Sequence, residues 1–385
     1  MKIGIPKERD PKEKRVAGSP DTVKKLVDMG IEVLVEKEAG HASMMLDQDY
    51  QEAGARIRPD AASVFAEADV IFKVQRPLTI AEIDLDEMAL LRPGQTLMAK
   101  LDALIHHHQV KAYAEKKVTA FALELMPRIT RAQGMDILSS QSNIAGYKIV
   151  LDAAQHFGRM FPMMMTAAGT VAPAKVLVLG AGVAGLQAIA TAKRLGAIVS
   201  AFDVRPAVRE EVESLGAQFI EVPSEETKSA QTAGGYAREM SEEYKRKQTQ
   251  LIHDTVKKMD IVLTTALIPG KPAPVLVNED MVKDMKPGSI IVDLAAEAGG
   301  NCPLCEMDKV VVAHDVTILS YENVPSRLSG DASTFYAKNL LNFITPMIDK
   351  ETKGLKLDME DEIIQGTLVT HEGEILHSGF KQGGN

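Results

Sequence analysis

The sequence has few aromatic residues, two cysteines and no excess of positive charge. Aromatic residues make up 4% of the 385 positions and tryptophan is absent, which disfavours the stacking surfaces that bind single-stranded nucleic acids or sugars. The chain has 44 lysines and arginines against 53 aspartates and glutamates, a formal charge of −9. It therefore offers no basic block for a phosphate backbone. Cys302 and Cys305 cannot form a disulfide framework and favour a reducing compartment.

Long apolar runs are also missing. The first residues lack the apolar core of a signal peptide. One uncharged stretch, Val176–Ala192, has 17 residues and contains glycines, whereas a membrane-spanning helix needs about 20 apolar residues. With 45% hydrophobic and 25% charged residues, the chain has the composition of a globular protein, and its length predicts two or three soluble domains.

Short β-branched segments alternate with helical segments in both halves of the chain. This alternation is typical of parallel βαβ units. The fold class is therefore α/β, with two doubly wound, Rossmann-like domains joined by long helices. The expected strands are Lys2–Ile5, Ile31–Glu36, Asp69–Val74 and Val118–Leu123 in the first half, and Lys175–Leu179, Ile198–Phe202, Phe219–Val222, Ile261–Thr264, Ile290–Asp293, Val310–Ala313 and Thr317–Leu319 in the second.

Two long helices are expected to connect the domains. Residues 136–159 carry apolar side chains at helical spacing, and a second helix at Asp331–Ile344 returns the chain. The tail, with a hairpin around residues 371–373, should pack on the first domain. The predicted domains are residues 1–136 with 346–385, and residues 137–345.

A glycine motif, Gly180-x-Gly182-x-x-Gly185, follows an expected strand and opens an alanine-rich helix. Asp203 ends the next expected strand, 21 residues after Gly182. This context predicts a dinucleotide-binding site. Gly180 would allow the tight turn, Gly182 the approach of the pyrophosphate and Gly185 close packing of helix and strand, while the helix N terminus attracts phosphate.

Asp203 is expected to accept hydrogen bonds from the adenosine ribose. A 2′-phosphate would bring negative charge against this carboxylate, so NAD(H) should bind better than NADP(H). Arg205 lies two residues further on. Its side chain is interpreted as a solvated surface charge, the alternative being a group that weakens this discrimination.

Five segments give the chain a family resemblance along nearly its whole length. Together they resemble the NAD(H)-binding component, domain I, of proton-translocating nicotinamide nucleotide transhydrogenases. Alanine dehydrogenases are more distant relatives. The version implied is the separate α1 subunit of bacteria, because no membrane helix follows before Asn385. The segments are Met126–Tyr147, Phe161–Thr170, Thr232–Ala237, Thr264–Pro274 and Asp293–Cys302.

The resemblance implies an enzyme component that binds NAD(H) in a cleft between its two domains. Hydride would pass between this NAD(H) and NADP(H) on a partner domain, coupled to proton translocation by a membrane partner. The resemblance also implies a homodimer, no nucleic-acid partner and no metal. The expected location is the cytoplasm, peripheral on the inner membrane through the partner subunits. The expected NAD(H)-binding residues are Gly180, Ala181, Gly182, Val183, Ala184, Asp203, Val204, Arg205, Gly235, Ala266 and Leu267.

In this family the loop after the fourth strand of the first domain places polar groups near the nicotinamide. The matching residues here are Arg128, Gln133, Asp136 and Ser139, and Tyr236 matches a tyrosine on a mobile loop that closes over the nucleotide. The residues alone also indicate a site, because a polar cluster at a strand-to-helix junction lies where doubly wound domains bind ligands. Alternatively, Asp136 caps the long helix, and both roles are compatible.

The segment before Tyr236 and the absence of an acid–base pair complete the argument. Gly234 and Gly235 provide a hinge beside the aromatic ring, which is typical of a lid. Alanine dehydrogenases use a histidine and an aspartate, and this chain carries Asp102 and Glu297 at the matching places. Losing the histidine removes the obvious general acid. Hydride transfer between two nicotinamides needs positioning and exclusion of water but no proton donor.

Other interpretations stay open or are set aside. A stand-alone amino-acid dehydrogenase and a non-catalytic NAD(H)-binding regulator remain alternatives. Arg15 and Lys73 match positions that hold a substrate carboxylate, but residual phosphate or surface contacts are favoured for both. Three further groups are given ordinary roles: His106–His108 as surface histidines, Cys302 and Cys305 as buried or idle thiols rather than a redox pair, and Met163–Met165 as an apolar contact at the domain junction.

Overall fold

The computed structural model describes residues 1–224, 226, 240–268 and 271–380. The strands, in chain order, are β1 (Lys2–Ile5), β2 (Glu32–Glu36), β3 (Arg56–Arg58), β4 (Val70–Gln75), β5 (Thr96–Lys100), β6 (Thr119–Ala122), β7 (Met164–Thr166), β8 (Gly169–Val171), β9 (Lys175–Leu179), β10 (Ile198–Phe202), β11 (Gln218–Ile220), β12 (Ile261–Thr264), β13 (Ile290–Asp293), β14 (Val310–Ala313), β15 (Val316–Leu319), β16 (Leu368–His371) and β17 (Glu374–Ile375). The α-helices are α1 (Pro20–Asp28), α2 (Asp47–Glu52), α3 (Ala61–Glu67), α4 (Glu87–Leu90), α5 (His107–Glu115), α6 (Ile137–His156), α7 (Val183–Arg194), α8 (Arg209–Ser214), α9 (Glu242–Val256), α10 (Glu279–Lys283), α11 (Ser329–Ile344) and α12 (Glu362–Thr367).

The chain divides into two compact units. The first consists of Met1–Gln141 with Ser326–Asn385, and the second of Ser142–Pro325. Helix α11 belongs to the first unit, because Tyr336 and Phe343 pack in that unit's apolar core. The sequence analysis had assigned this helix to the second domain, since a helical pattern does not reveal which core its apolar face joins.

The first unit contains an eight-stranded sheet in the order β17-β16-β6-β5-β4-β1-β2-β3. Strands β1 to β6 are parallel, and the tail adds β16 and β17 antiparallel at one edge. Strand β4 is buried on both faces, with Phe72 in one apolar cluster and Ile71 in another. This burial explains its continuous apolar run. The tail packs on the first unit as expected, whereas β3 and β5 were not predicted.

The second unit contains a seven-stranded sheet in the order β11-β10-β9-β12-β13-β15-β14. All neighbours are parallel except β14 and β15. Val178 and Leu177 of β9 lie in apolar clusters on opposite faces of the sheet. The strand order reverses between β9 and β12, and doubly wound sheets bind ligands at the carboxyl ends of such a pair. The expected fold class is confirmed.

No helix within the described residues has the length and apolar character needed to cross a membrane. The longest, α6, has 20 residues but carries charged and polar side chains along its length. Its Gly146 packs against α7, because a Cβ there would stand 2.0 Å from the Ala184 carbonyl oxygen. Glycine at this position therefore allows the two helices to approach closely.

A buried group of charged side chains lies near the carboxyl ends of β1 and β4. The fully buried Lys73 ammonium donates to Glu8 at 3.0 Å and to Glu87 at 2.9 Å. The other Glu8 oxygen accepts a hydrogen bond from the Val74 amide at 2.6 Å. Burial raises the pKa of Glu8 to about 7, and the nearby Glu87 and Glu13 carboxylates add to the rise that Lys73 opposes. Removing one partner of such a buried pair costs about 3–5 kcal/mol.

Arg15 is also buried in an ion pair. Its guanidinium donates to both oxygens of Glu13, at 2.8 and 2.6 Å, and to Gln141 at 2.9 Å. Gln75 donates to the same Glu13 carboxylate at 2.8 Å. The interpretation of Arg15 and Lys73 as surface or phosphate contacts is therefore wrong, because the chain's own glutamates neutralise both cations in the interior.

Replacing Glu8 by glutamine should flatten the dependence of stability on pH. The pKa of Glu8 is raised from 4.5 to about 7 in the folded state. Its contribution to stability is therefore fully present below the lower of these values and is lost as the pH rises to the upper one. An uncharged amide removes this loss. The free energy of unfolding of Glu8→Gln, relative to the wild type, should rise by up to roughly 3 kcal/mol between about pH 5 and pH 8.

Urea unfolding at a series of pH values measures this difference. The matched control is Glu115→Gln, a change at an exposed position of α5, which should follow the wild type at every pH. A stability difference between Glu8→Gln and wild type that stays constant across the range would contradict the assignment.

Candidate nucleotide-binding site

The glycine motif forms a tight turn between β9 and α7. Gly180 has a φ of +99°, and a Cβ there would stand 2.8 Å from the Thr265 hydroxyl oxygen. A Cβ on Gly185 would stand 1.9 Å from the Gly180 carbonyl oxygen. The Thr265 hydroxyl donates to this carbonyl at 2.9 Å. Both glycines are therefore required by the packing of strand, turn and helix.

Gly182 has a different environment from these two glycines. It precedes α7 in an extended conformation, with φ of −77° and ψ of −169°, which other residues also adopt. A Cβ at this position would have the Arg205 Nη2 atom as a neighbour, at 4.0 Å. The first helical residue, Val183, is exposed and Ala184 is partly exposed. The turn thus presents an open helix N terminus, which suits an anionic group.

The Asp203 carboxylate connects the end of β10 to the glycine turn. One of its oxygens, Oδ2, accepts a hydrogen bond from the Ala181 amide at 2.8 Å. The Arg205 side chain donates to both carboxylate oxygens, at 2.9 and 2.8 Å, and Val204 between them is partly buried. Arg205 was expected to be a solvated surface charge. That interpretation is wrong, because its guanidinium forms an ion pair with Asp203 and its side chain is 15% exposed.

The segment after β12 lies beside the same turn. The Thr265 amide donates to the Leu179 carbonyl at 2.9 Å, and the next residues are Ala266 and the exposed Leu267. Fully buried Asn301 holds this segment, because its side chain accepts from the Ala266 amide at 3.1 Å and donates to the Ala266 carbonyl at 3.0 Å. Sequence reasoning missed Asn301, although it lies within the quoted segment Asp293–Cys302.

The polar loop of the first unit is anchored from two sides. It contains the 3-10 helix Thr130–Met135, whose Ala132 and Met135 are buried. Asn339 and Asn342 of α11 each donate to the Gly134 carbonyl at 2.9 Å. These bonds fix the backbone next to Gln133, which is exposed. Neither asparagine was predicted, because each is about 200 positions from the loop and no local pattern marks it.

Arg131 anchors the loop to the tail of the chain. Its guanidinium donates to both Asp361 oxygens, at 2.8 and 2.6 Å. This pairing holds the pKa of the Asp361 carboxyl below its usual value. Sequence reasoning had grouped Arg131 with the polar side chains of a site, and the structure instead gives it this partner.

The remaining predicted residues of the loop divide between exposure and capping. Arg128 is exposed. Asp136 caps α6, because one of its oxygens accepts the Ser139 amide at 2.9 Å and the other accepts the Ser139 hydroxyl at 2.5 Å. The loop follows β6, the sixth strand of the first unit rather than the fourth, since β3 and β5 had been overlooked. Gly235 and Tyr236 lie outside the described residues.

The residues that match the acid–base positions of amino-acid dehydrogenases bind groups of their own unit. Asp102 pairs with Lys100 at 2.8 Å. Glu297, in the second unit, accepts from the Asn323 amide at 2.7 Å. Arg15, expected as a possible carboxylate holder, is occupied by Glu13.

The cysteines and methionines have separate environments. Burial raises the pKa of Cys302 to about 11 and that of Cys305 to about 12, so both thiols stay protonated near neutral pH. No group of three or more His, Cys, Asp or Glu side chains in the described part of the chain could hold a metal ion. The expected apolar contact of Met163 and Met165 is wrong, because these side chains are 61% and 73% exposed.

Comparisons with known proteins place this geometry in a family. The N-terminal domain model of the alanine dehydrogenase/PNT family matches residues 4–145, and the C-terminal domain model matches residues 149–378. The chain is 60% identical over 377 residues to the first of the separate chains that make up the NAD(P) transhydrogenase alpha subunit of Rhodospirillum rubrum, with 98% of each chain covered.

Solved structures give the same result. A transhydrogenase from Sinorhizobium meliloti is 49% identical, with a TM-score of 0.87 over 97% of this chain and 100% of the other. An L-alanine dehydrogenase is 26% identical, with a TM-score of 0.80 over 99% and 98%. The chain therefore belongs to the alanine dehydrogenase/PNT family, among the alpha subunits of NAD(P) transhydrogenase.

Proposed function

We propose that the second unit binds NAD(H) and that this nucleotide exchanges hydride with NADP(H) held by a partner domain. One observation carries the proposal: Asp203 accepts from the amide of Ala181 inside the glycine turn. This bond places a carboxylate beside an open helix N terminus at the point where the strand order reverses. A carboxylate there recognises ribose hydroxyls and disfavours a 2′-phosphate, while the helix N terminus recognises pyrophosphate.

The chain's own residues would position the nucleotide and would not move a proton. The nicotinamide ring supplies the hydride chemistry when the nucleotide is bound. Arg128 and Gln133 project from backbone that Arg131, Asn339 and Asn342 fix in place. Such rigid side chains suit a reaction whose rate depends on the distance and alignment of the reacting atoms. Asp136 and Ser139 cap α6 and add polar groups at the same junction, and Tyr236 is proposed to close over the nucleotide.

The partners are proposed from the relatives. The Rhodospirillum rubrum protein is named as the first portion of a divided alpha subunit, which implies further portions. We infer that this chain docks on an NADP(H)-binding domain and on a membrane domain that translocates protons. It would then work in the cytoplasm, peripheral on the inner membrane through those partners.

A homodimer is proposed from the hairpin formed by β7 and β8. These strands form a two-stranded sheet of their own, and an isolated hairpin is marginally stable in water. Its base is fixed by buried Phe161, whose carbonyl accepts from the Ala174 amide at 2.9 Å. Exposed Met163 and Met165 offer an adaptable apolar surface that suits a second copy of the chain.

Hydride exchange with an NADP(H)-binding domain tests the proposed activity. The wild-type chain, NADH and the partner domain loaded with NADP⁺ should form NADPH, followed with an NADPH-specific coupled assay. Replacing Gln133 by alanine should lower the rate about 100-fold with little change in NADH affinity, because the side chain acts in positioning. The control Gln48→Ala, on the exposed surface of α2, should keep the wild-type rate.

The alternatives give different outcomes in the same assay. Turnover of alanine or pyruvate by this chain alone would support an amino-acid dehydrogenase. Tight NADH binding without transfer, with a partner domain of proven competence, would support a binding regulator and refute the proposal.

Sedimentation equilibrium tests the dimer. The wild type should have twice the mass of the chain, and Met165→Asp should shift it towards a monomer because a charge in an apolar interface is costly. Met359→Asp changes another exposed methionine, 42% accessible and in the first unit, and should leave the dimer intact. A monomeric wild type, or a dimer insensitive to Met165→Asp, refutes the hairpin interface.

A further inference from the structure

The Asp203 carboxylate already has its full number of hydrogen-bond donors. Oδ2 accepts from the Ala181 amide and from Arg205 Nη2, both at 2.8 Å. Oδ1 accepts from the Arg205 amide and from Arg205 Nε, both at 2.9 Å. A carboxylate has about four lone-pair sites in all. A ribose can therefore bond to Asp203 only when some of these donors leave.

The donors differ in their freedom to leave. The two amides belong to backbone that the sheet and the turn hold in place, since Gly180 donates to the Phe202 carbonyl at 2.9 Å. The other two donors belong to the Arg205 side chain, which rotates about several single bonds. Asp203 is 8% exposed, so water cannot freely replace a lost partner. The guanidinium is therefore the donor that ribose hydroxyls would displace.

The displaced guanidinium has a second position close by. Its Nη2 atom stands 4.0 Å from the point where a Cβ on Gly182 would lie. Gly182 is the glycine over which a pyrophosphate passes in this type of turn. Arginine binds phosphate oxygens through a planar set of donors. A small rotation would move the guanidinium from a carboxylate of the protein to a phosphate of the ligand.

We propose that Arg205 exchanges partners when the nucleotide binds, leaving Asp203 to the ribose and pairing with the diphosphate. Arg205 thereby links recognition of the two parts of the ligand: it competes with a ribose that carries no phosphate and favours one that carries a diphosphate. This inference rests on the proposed NAD(H) site and specifies how that site distinguishes its ligands.

Equilibrium dialysis with labelled adenosine and labelled ADP separates these effects. In Arg205→Ala the competitor for Asp203 is gone, so adenosine should bind about 10-fold more tightly. ADP gains the same release but loses its phosphate contact, so the preference for ADP over adenosine should fall by about 10-fold or more. Arg205→Lys keeps the charge without the paired donors, and should retain more of that preference than Arg205→Ala does.

A neighbouring arginine provides the matched control. Arg209 pairs with Glu221 and stacks on Phe219, so Arg209→Ala removes a guanidinium from the same turn region without touching Asp203. Both affinities should stay at the wild-type values. Thermal unfolding of each variant shows whether the second unit is folded, and the ratio of the two affinities is unaffected by a general loss of active protein.

Two results would overturn the inference. If Arg205→Ala weakens adenosine and ADP by the same factor, the side chain merely holds Asp203 in place. If neither affinity changes, Arg205 takes no part in recognition. Both results leave the proposed function standing as long as the wild type binds NADH. A wild type that fails to bind NADH refutes the proposed function and this inference together.

Discussion

The structure of the candidate site depends on the close packing between the Gly180 turn, the start of α7 and the segment after β12. A Cβ on Gly185 would overlap the Gly180 carbonyl oxygen, at 1.9 Å, and one on Gly180 would press on Thr265. These contacts bring the strand end and the helix N terminus together and direct unpaired amides of the helix outwards. The positions of Ala181 and Ala266 follow from the same packing, because Asp203 and Asn301 bind the backbone at those two residues.

Both units have a parallel sheet whose order reverses between two strands, yet the two reversal points are filled differently. In the first unit the chain's own charged groups occupy the region, with Lys73 bound by Glu8 and Glu87, and Arg15 bound by Glu13. In the second unit the corresponding place is a glycine turn with an open helix end. One doubly wound sheet thus serves as a scaffold for a polar loop, and the other presents the groups that recognise a dinucleotide.

Local patterns in the sequence predicted the parts of this structure that local physics determines. The glycine turn, the acidic end of β10 and the cap at Asp136 each depend on residues a few positions apart. Strand β5 was missed because Thr96–Lys100 contains methionine and alanine, which do not favour strands over helices. Arg205 was misread because the sequence does not show that its side chain folds back on Asp203.

The residues that position the loop of the first unit show the same limit. Asn339 and Asn342 reach Gly134 from α11, and Asp361 reaches Arg131 from the tail. Their roles arise only when distant segments pack together. The resemblance to transhydrogenases supplied the functional assignment of Gln133 and Arg128, while the structure supplies the reason for their fixed placement.

The most direct test of the central claim is NADH binding by Gly182→Ala, measured by the change in nicotinamide fluorescence. Alanine fits the backbone conformation of Gly182, and its Cβ would meet only open space and the Arg205 guanidinium among the described residues. The account predicts an unchanged unfolding temperature with NADH affinity reduced about 10-fold or more, because the methyl group obstructs the pyrophosphate. Wild-type affinity in a variant of wild-type stability would show that the nucleotide does not pass over this turn.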